Sequence, residues 1–320
     1  MRFSWVSAAL VALLAACGNA NLVTTTGPQS GVQDSGDDDA PKVDAGKLDA
    51  GKKDAGPRSG PSNLRIMAGN ISSGTGSPTY NPPQSQNLIK GLHPDVALLQ
   101  EMKYGNGTPA AFQEFVTANF GPDFASYREE GFAIPNAVVS RYPIEKSGEW
   151  TDAKVNDRSF AYAKINVPND HVLWAVSVHL LTSSATNRAD EATQLVGYLK
   201  QVVGPDDFIV VGGDLNTGSR TETALTTFSE LLKTTAPFPA DQKGNDRTSA
   251  PRSKPYDWVL VDPKLAALQV PSVFGTSTYA DGLVFDSRVY TPLSDVAPIA
   301  EGDSGNDQMQ HMPVVKDFAL

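Results

Sequence analysis

Strand-like segments outnumber helix-like segments in residues 62–320, and many of them follow one another with no helix between. Runs rich in β-branched residues predict strands at 64–68, within 93–101, at 136–144, 160–167 and 172–178, from 208 onward, and at 258–261 and 314–318. Apolar spacing and Pro positions predict helices at 84–91, 109–119, 187–203 and 223–232. Because so many strands are adjacent, this order favours an α/β fold of two packed sheets with outer helices over a simple parallel sheet.

The first seventeen residues, "MRFSWVSAALVALLAAC", have the pattern of a bacterial secretory signal. Their apolar run is shorter than the roughly 20 residues that span a bilayer. The end of the run resembles the lipobox of bacterial lipoproteins, in which the cysteine is acylated. Cys17 is the single cysteine of the chain, so no internal disulfide can form. We therefore expect a lipid anchor at Cys17 and a place in the bacterial cell envelope, at the outer membrane or cell surface; the alternative is an ordinary secreted protein.

Residues 18–61 lack apolar periodicity and contain the repeat "KVDAGKLDAGKKDAG". Such a composition cannot bury enough apolar surface to fold, so this segment is predicted to be a disordered tether, and 62–320 a single domain.

The domain has a negative net charge. Six of the 26 basic and seven of the 36 acidic residues precede it, which leaves it an excess of nine acids. This balance counts against tight nonspecific DNA binding. We expect a monomer that contacts the membrane only through its lipid.

Polar residues of the kinds used in hydrolysis lie at the ends of the predicted strands. These residues are Asn70, Glu101, His179, Asp214 with Asn216, Asp257 and His311. Each alone is typical of a turn next to a strand. Together they offer oxygen ligands for a hard cation, two imidazoles and a carboxylate base, which suits the attack of water on a phosphate ester. Gly212 and Gly213 before Asp214 would allow a close approach to the backbone.

Seven segments carry a family resemblance, and they run in the order "MAGN", "LLQE", "NAVVSRYPI", "SVHL", "GGDLN", "YDWVLV" and "HMPVV". In this order they resemble the endonuclease/exonuclease/phosphatase superfamily, also called deoxyribonuclease I-like, over nearly all of residues 62–320. The resemblance implies a four-layered α/β sandwich, with two central mixed β-sheets flanked by helices and the site at one edge of both sheets.

The resemblance also implies roles for the site residues. Glu101 resembles the principal Mg²⁺ ligand, with Asn70 beside it, and Mn²⁺ or Ca²⁺ are alternative ions. Asp214 resembles the residue that orients or deprotonates the attacking water, and Asn216 the residue that holds the phosphate. His179 and His311 resemble the pair that flanks the scissile phosphate, and Asp257 the acid that fixes the tautomer of His311. Which residue is the general base stays open.

Three further residues are candidates for substrate binding. Asn136 begins the segment "NAVVSRYPI", while Arg158 and Arg188 lie in "DRSFAYAKI" and "TNRADEATQ", where the family often has an arginine. The alternative for the two arginines is pairing with the nearby Asp157 and Asp190.

One motif departs from the family pattern. The final segment usually has Ser-Asp-His, but Gln310 precedes His311 here. Three explanations are open: a metal held mainly by Glu101 and Asn70, a metal ligand supplied by Asp307 or Asp303 from the preceding loop, or a site that has lost its metal.

Three functions compete. The first is a Mg²⁺-dependent phosphodiesterase, a secreted nuclease that cleaves DNA or RNA by water attack. The second is a phosphatase or phospholipase acting on inositol phosphates or sphingomyelin. The third is a catalytically inactive binding protein on the same fold. Six retained polar residues argue against it: Glu101, His179, Asp214, Asn216, Asp257 and His311.

Overall fold

The computed structural model describes residues 64–72, 80–307 and 309–320, which all lie in one compact unit. Cys17 and the predicted signal and tether lie outside the described residues, so those interpretations stay predictions. No helix in the described ranges has the length and apolar content needed to cross a membrane.

The described chain contains fourteen strands, five α-helices and one 3-10 helix. The strands are β1 (Leu64–Gly69), β2 (Val96–Leu99), β3 (Ala125–Arg128), β4 (Ala137–Ser140), β5 (Ile144–Trp150), β6 (Phe160–Val167), β7 (His171–His179), β8 (Phe208–Asp214), β9 (Asp257–Val261), β10 (Gln269–Val270), β11 (Ser272–Phe274), β12 (Ser277–Tyr279), β13 (Leu283–Val284) and β14 (Val314–Phe318). The helices are α1 (Pro83–Leu92), α2 (Pro109–Asn119), α3 (Ala185–Val202), α4 (Thr223–Phe228) and α5 (Pro263–Ala266), and the 3-10 helix is Leu293–Val296.

Two mixed sheets form the centre of the fold. Sheet A has the order β10-β14-β1-β2-β4-β3, with β13 also paired to β14, and sheet B has the order β5-β6-β7-β8-β9. Within sheet A only β1 and β2 run parallel, and within sheet B only β7 and β8. The separate pair β11-β12 completes the strands.

Alternation along the strands divides the buried side chains into three cores. Val96 and Leu98 of β2 lie between the two sheets, whereas Ala97 and Leu99 pack with the apolar faces of α1 and α2. Likewise, Val210 of β8 lies between the sheets, and its neighbours in the strand pack with α3 and α4. The layers are therefore helices, sheet A, sheet B and helices, which confirms the predicted deoxyribonuclease I-like sandwich.

Some predicted elements differ from the observed ones. The predicted strand at 136–144 ends at Ser140, because the Ser140 hydroxyl accepts a hydrogen bond from the Tyr142 amide (3.0 Å) and turns the chain toward Pro143. The predicted helix at 223–232 ends at Phe228, and the Lys233 amide then donates to the Val261 carbonyl of β9 (2.8 Å). The predicted strands at 160–167 and 172–178 are confirmed, and they pair as an antiparallel hairpin.

Candidate active site

Strand register brings the predicted polar residues to one edge of the sandwich. In sheet B, Asp214 at the end of β8 is paired with His179 at the end of β7 and with Asp257 at the start of β9. In sheet A, Asn70 follows β1 and Glu101 follows β2, two strands that run parallel. His311 precedes β14, which is antiparallel to β1, so it reaches the same edge.

The two glycines before Asp214 allow the sheets to approach closely. A Cβ atom on Gly212 would lie 2.8 Å from Leu98 Cδ1 and 2.9 Å from Ala68 Cβ, both in sheet A. A Cβ on Gly213 would lie 2.3 Å from the side-chain amide nitrogen of Gln100, Nε2. The Gly-Gly pair therefore lets a buried strand of one sheet deliver its terminal carboxylate next to the strand ends of the other.

One oxygen of Asp214 lies at the centre of the cluster. Asp214 Oδ2 is 3.4 Å from His179 Nε2, 3.7 Å from His311 Nε2 and 3.4 Å from Asn70 Nδ2. The other oxygen accepts a hydrogen bond from the Asn216 amide (2.9 Å), which fixes the carboxylate plane. Asp214 thus faces both imidazoles through a single oxygen.

Asp257 orients the second imidazole. Its Oδ2 lies 2.8 Å from His311 Nδ1, and its Oδ1 accepts from the Asn70 backbone amide (2.8 Å). The Asp257 amide in turn donates to the Thr248 hydroxyl (2.7 Å). A carboxylate on Nδ1 leaves Nε2 of His311 directed to the cluster centre, as in other carboxylate-oriented imidazoles.

Burial and neighbouring charge shift the three central pKa values in different directions. Burial raises the pKa of Asp214 to about 7, although the positive charge of His311 opposes this rise. For His311, burial alone would lower the pKa, but the carboxylates of Asp257 and Asp214 raise it to about 9. Burial, together with Arg158 and His311, lowers the pKa of His179. At neutral pH the edge therefore combines an imidazolium, a neutral imidazole and a carboxyl group poised to accept a proton.

Glu101 and Asn70 fit a hard divalent cation. Glu101 Oε1 lies 2.8 Å from Asn70 Nδ2, and this same amide nitrogen is the one directed at Asp214. The carboxylates of Glu101 and Asp214 thus both face the side-chain amide of Asn70. A half-turn of this amide group exchanges the positions of its oxygen and its nitrogen. With the oxygen turned inward, Asn70 and Glu101 would present oxygen donors of the kind that Mg²⁺ prefers.

Glu101 and Asn216 both have left-handed backbone conformations, with φ of 55° and 50°. Residues with side chains seldom adopt this region, and such strain clusters at functional sites. In Asn216 the conformation lets the side-chain amide donate to the Leu180 carbonyl (3.0 Å) while the backbone amide binds Asp214.

The loop before His311 does not place its two aspartates in the buried cluster. The ligand atoms of Asp214, Asp257 and His311 lie within 4.8 Å of one another, and Asp307 is exposed and outside this group. Asp303 is buried, but its carboxylate accepts from Asn87 Nδ2 (3.1 Å) and the Ala300 amide (2.8 Å), which fixes the loop. Of the three explanations for Gln310, this arrangement counts against a metal ligand supplied by Asp307 or Asp303, and the other two stay open.

The two candidate substrate-binding arginines have internal partners. Arg158 is 5% exposed, donates to the carbonyls of His179 and Leu180, and pairs with Asp157 (2.9 Å). It therefore holds the backbone beneath His179, and the predicted alternative of an Asp157 pair is present.

Arg188 is also 5% exposed and pairs with Glu222 (2.8 Å), not with Asp190. Asp190 pairs with Lys154 instead (2.6 Å). Arg188 pairs with Glu222 because α3 packs against the segment before α4. The two residues are distant in sequence, so their pairing could not be predicted from neighbouring positions.

Asn136 lies at the same edge as the cluster, directly before β4. It is fully buried, and its Nδ2 donates to the Ser159 carbonyl (2.7 Å). Its backbone amide donates to Glu129 (2.8 Å), a buried acid that also accepts from the Ser159 amide (3.1 Å). Glu129 was not singled out by sequence reasoning, since nothing in "YREEG" distinguishes it from its exposed neighbour Glu130.

A pair of buried acids, Asp152 and Glu191, was also missed. Glu191 is fully buried, and both of its oxygens contact the Leu181 amide, two residues after His179. Burial, and then the nearby Asp152, raises the pKa of Glu191 to about 8. Helical spacing on α3 would place Glu191 on the inner face beside Ala192 and Leu195, which was the available signal.

We expect Glu191→Gln to remove part of the pH dependence of stability. Between the unfolded pKa of about 4.3 and the folded value of about 8, only the folded state holds this proton, so the wild type loses stability as pH rises through this window. Relative to the variant, the wild type should lose roughly 3–4 kcal/mol between pH 5 and 8, at about 1.4 kcal/mol per pH unit, measured by urea unfolding. Glu114→Gln, at an exposed position of α2, should track the wild type. Parallel curves for Glu191→Gln and wild type would show that Glu191 is not protonated in the folded state.

The sequence that forms this site matches a known protein family. Residues 67–288 match the Endonuclease/Exonuclease/phosphatase family, a range that contains every cluster residue except His311. The chain belongs to this family. A comparison with curated proteins gave no match.

Solved structures of several other proteins share the fold. One is an endonuclease/exonuclease/phosphatase from Beutenbergia cavernae, with a TM-score of 0.53, 18% identity, and coverage of 80% of this chain and 71% of that one. A second is a mannosyl-6-phosphatase from Bacteroides thetaiotaomicron (TM-score 0.52, 12% identity, 80% and 100% covered). A third is a 3′ phosphatase from Neisseria bound to a product DNA hairpin (TM-score 0.51, 16% identity, 80% and 99% covered). At these identities the likeness shows the fold.

Proposed function

We propose that this family member is a Mg²⁺-dependent phosphoester hydrolase that cleaves the phosphodiester bonds of nucleic acid by attack of water. The observation that carries the proposal is Asp214 Oδ2, which faces His179 and His311 at 3.4 and 3.7 Å beside the Glu101–Asn70 pair. An inactive binding protein would have no chemical need for this convergence of buried ionisable groups.

The residues divide the chemistry among them. Asp214, whose pKa is raised to about 7, accepts the proton of the attacking water at Oδ2. His311, held as an imidazolium by Asp257, donates from Nε2 to phosphoryl oxygens as negative charge develops on them. Glu101 and Asn70 would hold the cation, which when bound polarises the phosphoryl group and neutralises charge.

The substrate class is tested with the purified full chain in Mg²⁺. Supercoiled plasmid should be converted to nicked circles, whereas sphingomyelin vesicles and inositol phosphates should remain intact. Hydrolysis of a lipid or inositol phosphate with no nicking would replace the nucleic acid with that substrate. If the protein hydrolysed neither plasmid, nor sphingomyelin, nor inositol phosphates, the proposal would be rejected.

A phosphomonoesterase is the second candidate, and a specific observation favours it. Arg158 and Arg188, the two arginines expected to contact substrate, are buried and engaged by internal partners, and the domain carries an excess of nine acids. A short phosphomonoester needs fewer phosphate contacts than a duplex. Two structural neighbours are described as phosphatases, which is consistent with this alternative. Release of phosphate from a 3′-phosphorylated oligonucleotide, without internal cleavage, would support it.

We propose further that Cys17 carries a lipid that anchors the chain to the bacterial envelope, with the low-complexity segment as tether. The basis is the lipobox-like "LAAC" at the end of the apolar run. Acyl chains on this cysteine would give stable attachment. Cys17→Ser should move the protein from the membrane fraction to the soluble fraction of expressing cells. Unchanged membrane retention of the variant would contradict lipidation.

A further inference from the structure

A cavity of about 210 Å³ lies beside β9 and β14, and the proposed chemistry does not use it. Its walls include Pro237, Pro239, Val284 and Val314, which are apolar, and its cationic lining consists of Arg220, Lys233 and Lys316. The lining also contains three acids, Asp246, Asp257 and Asp281, so the partners of each cation decide whether the cavity offers a free positive charge.

Lys316 is the least expected of these residues. It lies in β14 opposite Ile66 of β1, on the strand face that also carries Val314 and Phe318 and that packs between the two sheets. Lys316 is only 8% exposed, and its side chain lines the cavity with no hydrogen bond, and no ion pair within 4.0 Å, to any described residue. An anion bound in the cavity would offset the cost of removing this ammonium group from water.

The other charges around the cavity do not supply that interaction. Arg220 is bound by Asp246 (3.0 Å) and stacks over the Phe238 and Trp258 rings at 3.7 and 4.6 Å. Asp257, which also lines the cavity, is taken by His311. Asp281 lies near Lys316 but makes no ion pair with it within 4.0 Å.

This environment lowers the pKa of Lys316. Burial, and then the positive charge of Lys233, lowers the pKa of Lys316 to about 8, with Asp281 opposing and Arg220 adding to the shift. A bound anion between the two lysines would reverse this penalty.

We infer that this cavity binds a phosphate dianion, either free or as the head of a small phosphomonoester, between Lys316 and Lys233. A dianion matches the ammonium groups of buried Lys316 and of exposed Lys233 at the cavity mouth, neither of which has an ion pair among the described residues. The apolar walls formed by Pro237, Pro239, Val284 and Val314 would receive the organic part of a phosphomonoester. The cavity borders the catalytic cluster through Asp257, but the inference rests on Lys316 and Lys233 and does not depend on the proposed reaction.

The first test measures the acetylation rate of individual lysines of the full chain at pH 8 by peptide mass spectrometry, in EDTA. Inorganic phosphate should slow acetylation of Lys316 at least about fivefold at saturation, relative to chloride at equal ionic strength. Lys264, which donates to the carbonyls of Pro205 and Asp207 at 2.7 and 2.5 Å, is the control and should not be protected. Phenylphosphonate, which is not hydrolysed, separates the two sources: stronger protection than by phosphate indicates a phosphomonoester, and equal protection indicates free phosphate.

The second test uses thermal unfolding. Phosphate at ten times its Kd should raise the Tm of the wild type by about 3 °C. This shift should disappear in Lys316→Met, which keeps the side-chain volume, and persist in Lys264→Met. Equal protection of Lys316 and Lys264, or an equal Tm shift in wild type and Lys316→Met, would overturn the inference.

Discussion

Asp214→Asn should lower the rate of phosphoester hydrolysis by about 10³-fold while leaving the fold intact. The amide keeps the shape of the carboxylate and can still accept the hydrogen bond from the Asn216 backbone amide. It cannot accept a proton from water, and it removes the negative charge that His311 faces at 3.7 Å. The rate is measured on whichever phosphoester the wild type hydrolyses.

The control for this variant is Asp123→Asn, an exposed aspartate in the turn before β3. It should retain wild-type activity. Because Asp214 is buried and its pKa is raised, the amide should leave the Tm unchanged or slightly higher. If Asp214→Asn retained more than about a tenth of the wild-type rate, Asp214 would not be the proton acceptor.

Gly213→Ala should destabilise the domain by about 3 kcal/mol or more. Gly213 has a φ of 127°, which residues with a Cβ rarely adopt, and this strain costs about 1–3 kcal/mol. The added Cβ would also lie 2.3 Å from Gln100 Nε2 and 2.4 Å from the Val178 carbonyl oxygen, and overpacking of this kind adds about 1–3 kcal/mol. Urea unfolding measures the loss.

Gly197→Ala is the matched control. Gly197 lies inside α3, and a Cβ there would meet no atom within 4 Å. Since glycine is a poor helix residue, this variant should gain about 0.5–1 kcal/mol. A Gly213→Ala domain as stable as the wild type would mean that the two sheets are not packed as closely as the structure shows.

Strand register explains why so much of the site was predictable. Each site residue was recognised because it ends or begins a strand, and parallel β1–β2 and β7–β8 bring those ends to one edge. The apolar pattern of these buried strands is strong because both faces are covered.

The elements that were missed depend on contacts distant in sequence. β5, "IEKSGEW", has mostly exposed or half-buried side chains and is an edge strand, with β6 as its one neighbour among the described strands. Arg188 and Glu222 meet through the packing of the segments around α3 and α4. A strand with a weak apolar pattern cannot be recognised from local sequence. The same holds for an ion pair between residues 34 positions apart.

The most direct test of the account is the Mg²⁺ dependence of phosphodiester hydrolysis by the wild type, Glu101→Gln and Glu114→Gln, with bis(4-nitrophenyl) phosphate as substrate. The wild-type rate should be lost in EDTA and should rise to a plateau with Mg²⁺. Glu101→Gln should need at least about tenfold more Mg²⁺ to reach half of its plateau, and Glu114→Gln should match the wild type. Hydrolysis that continues unchanged in EDTA, or a Glu101→Gln curve that overlays the wild type, would contradict a metal site at Glu101.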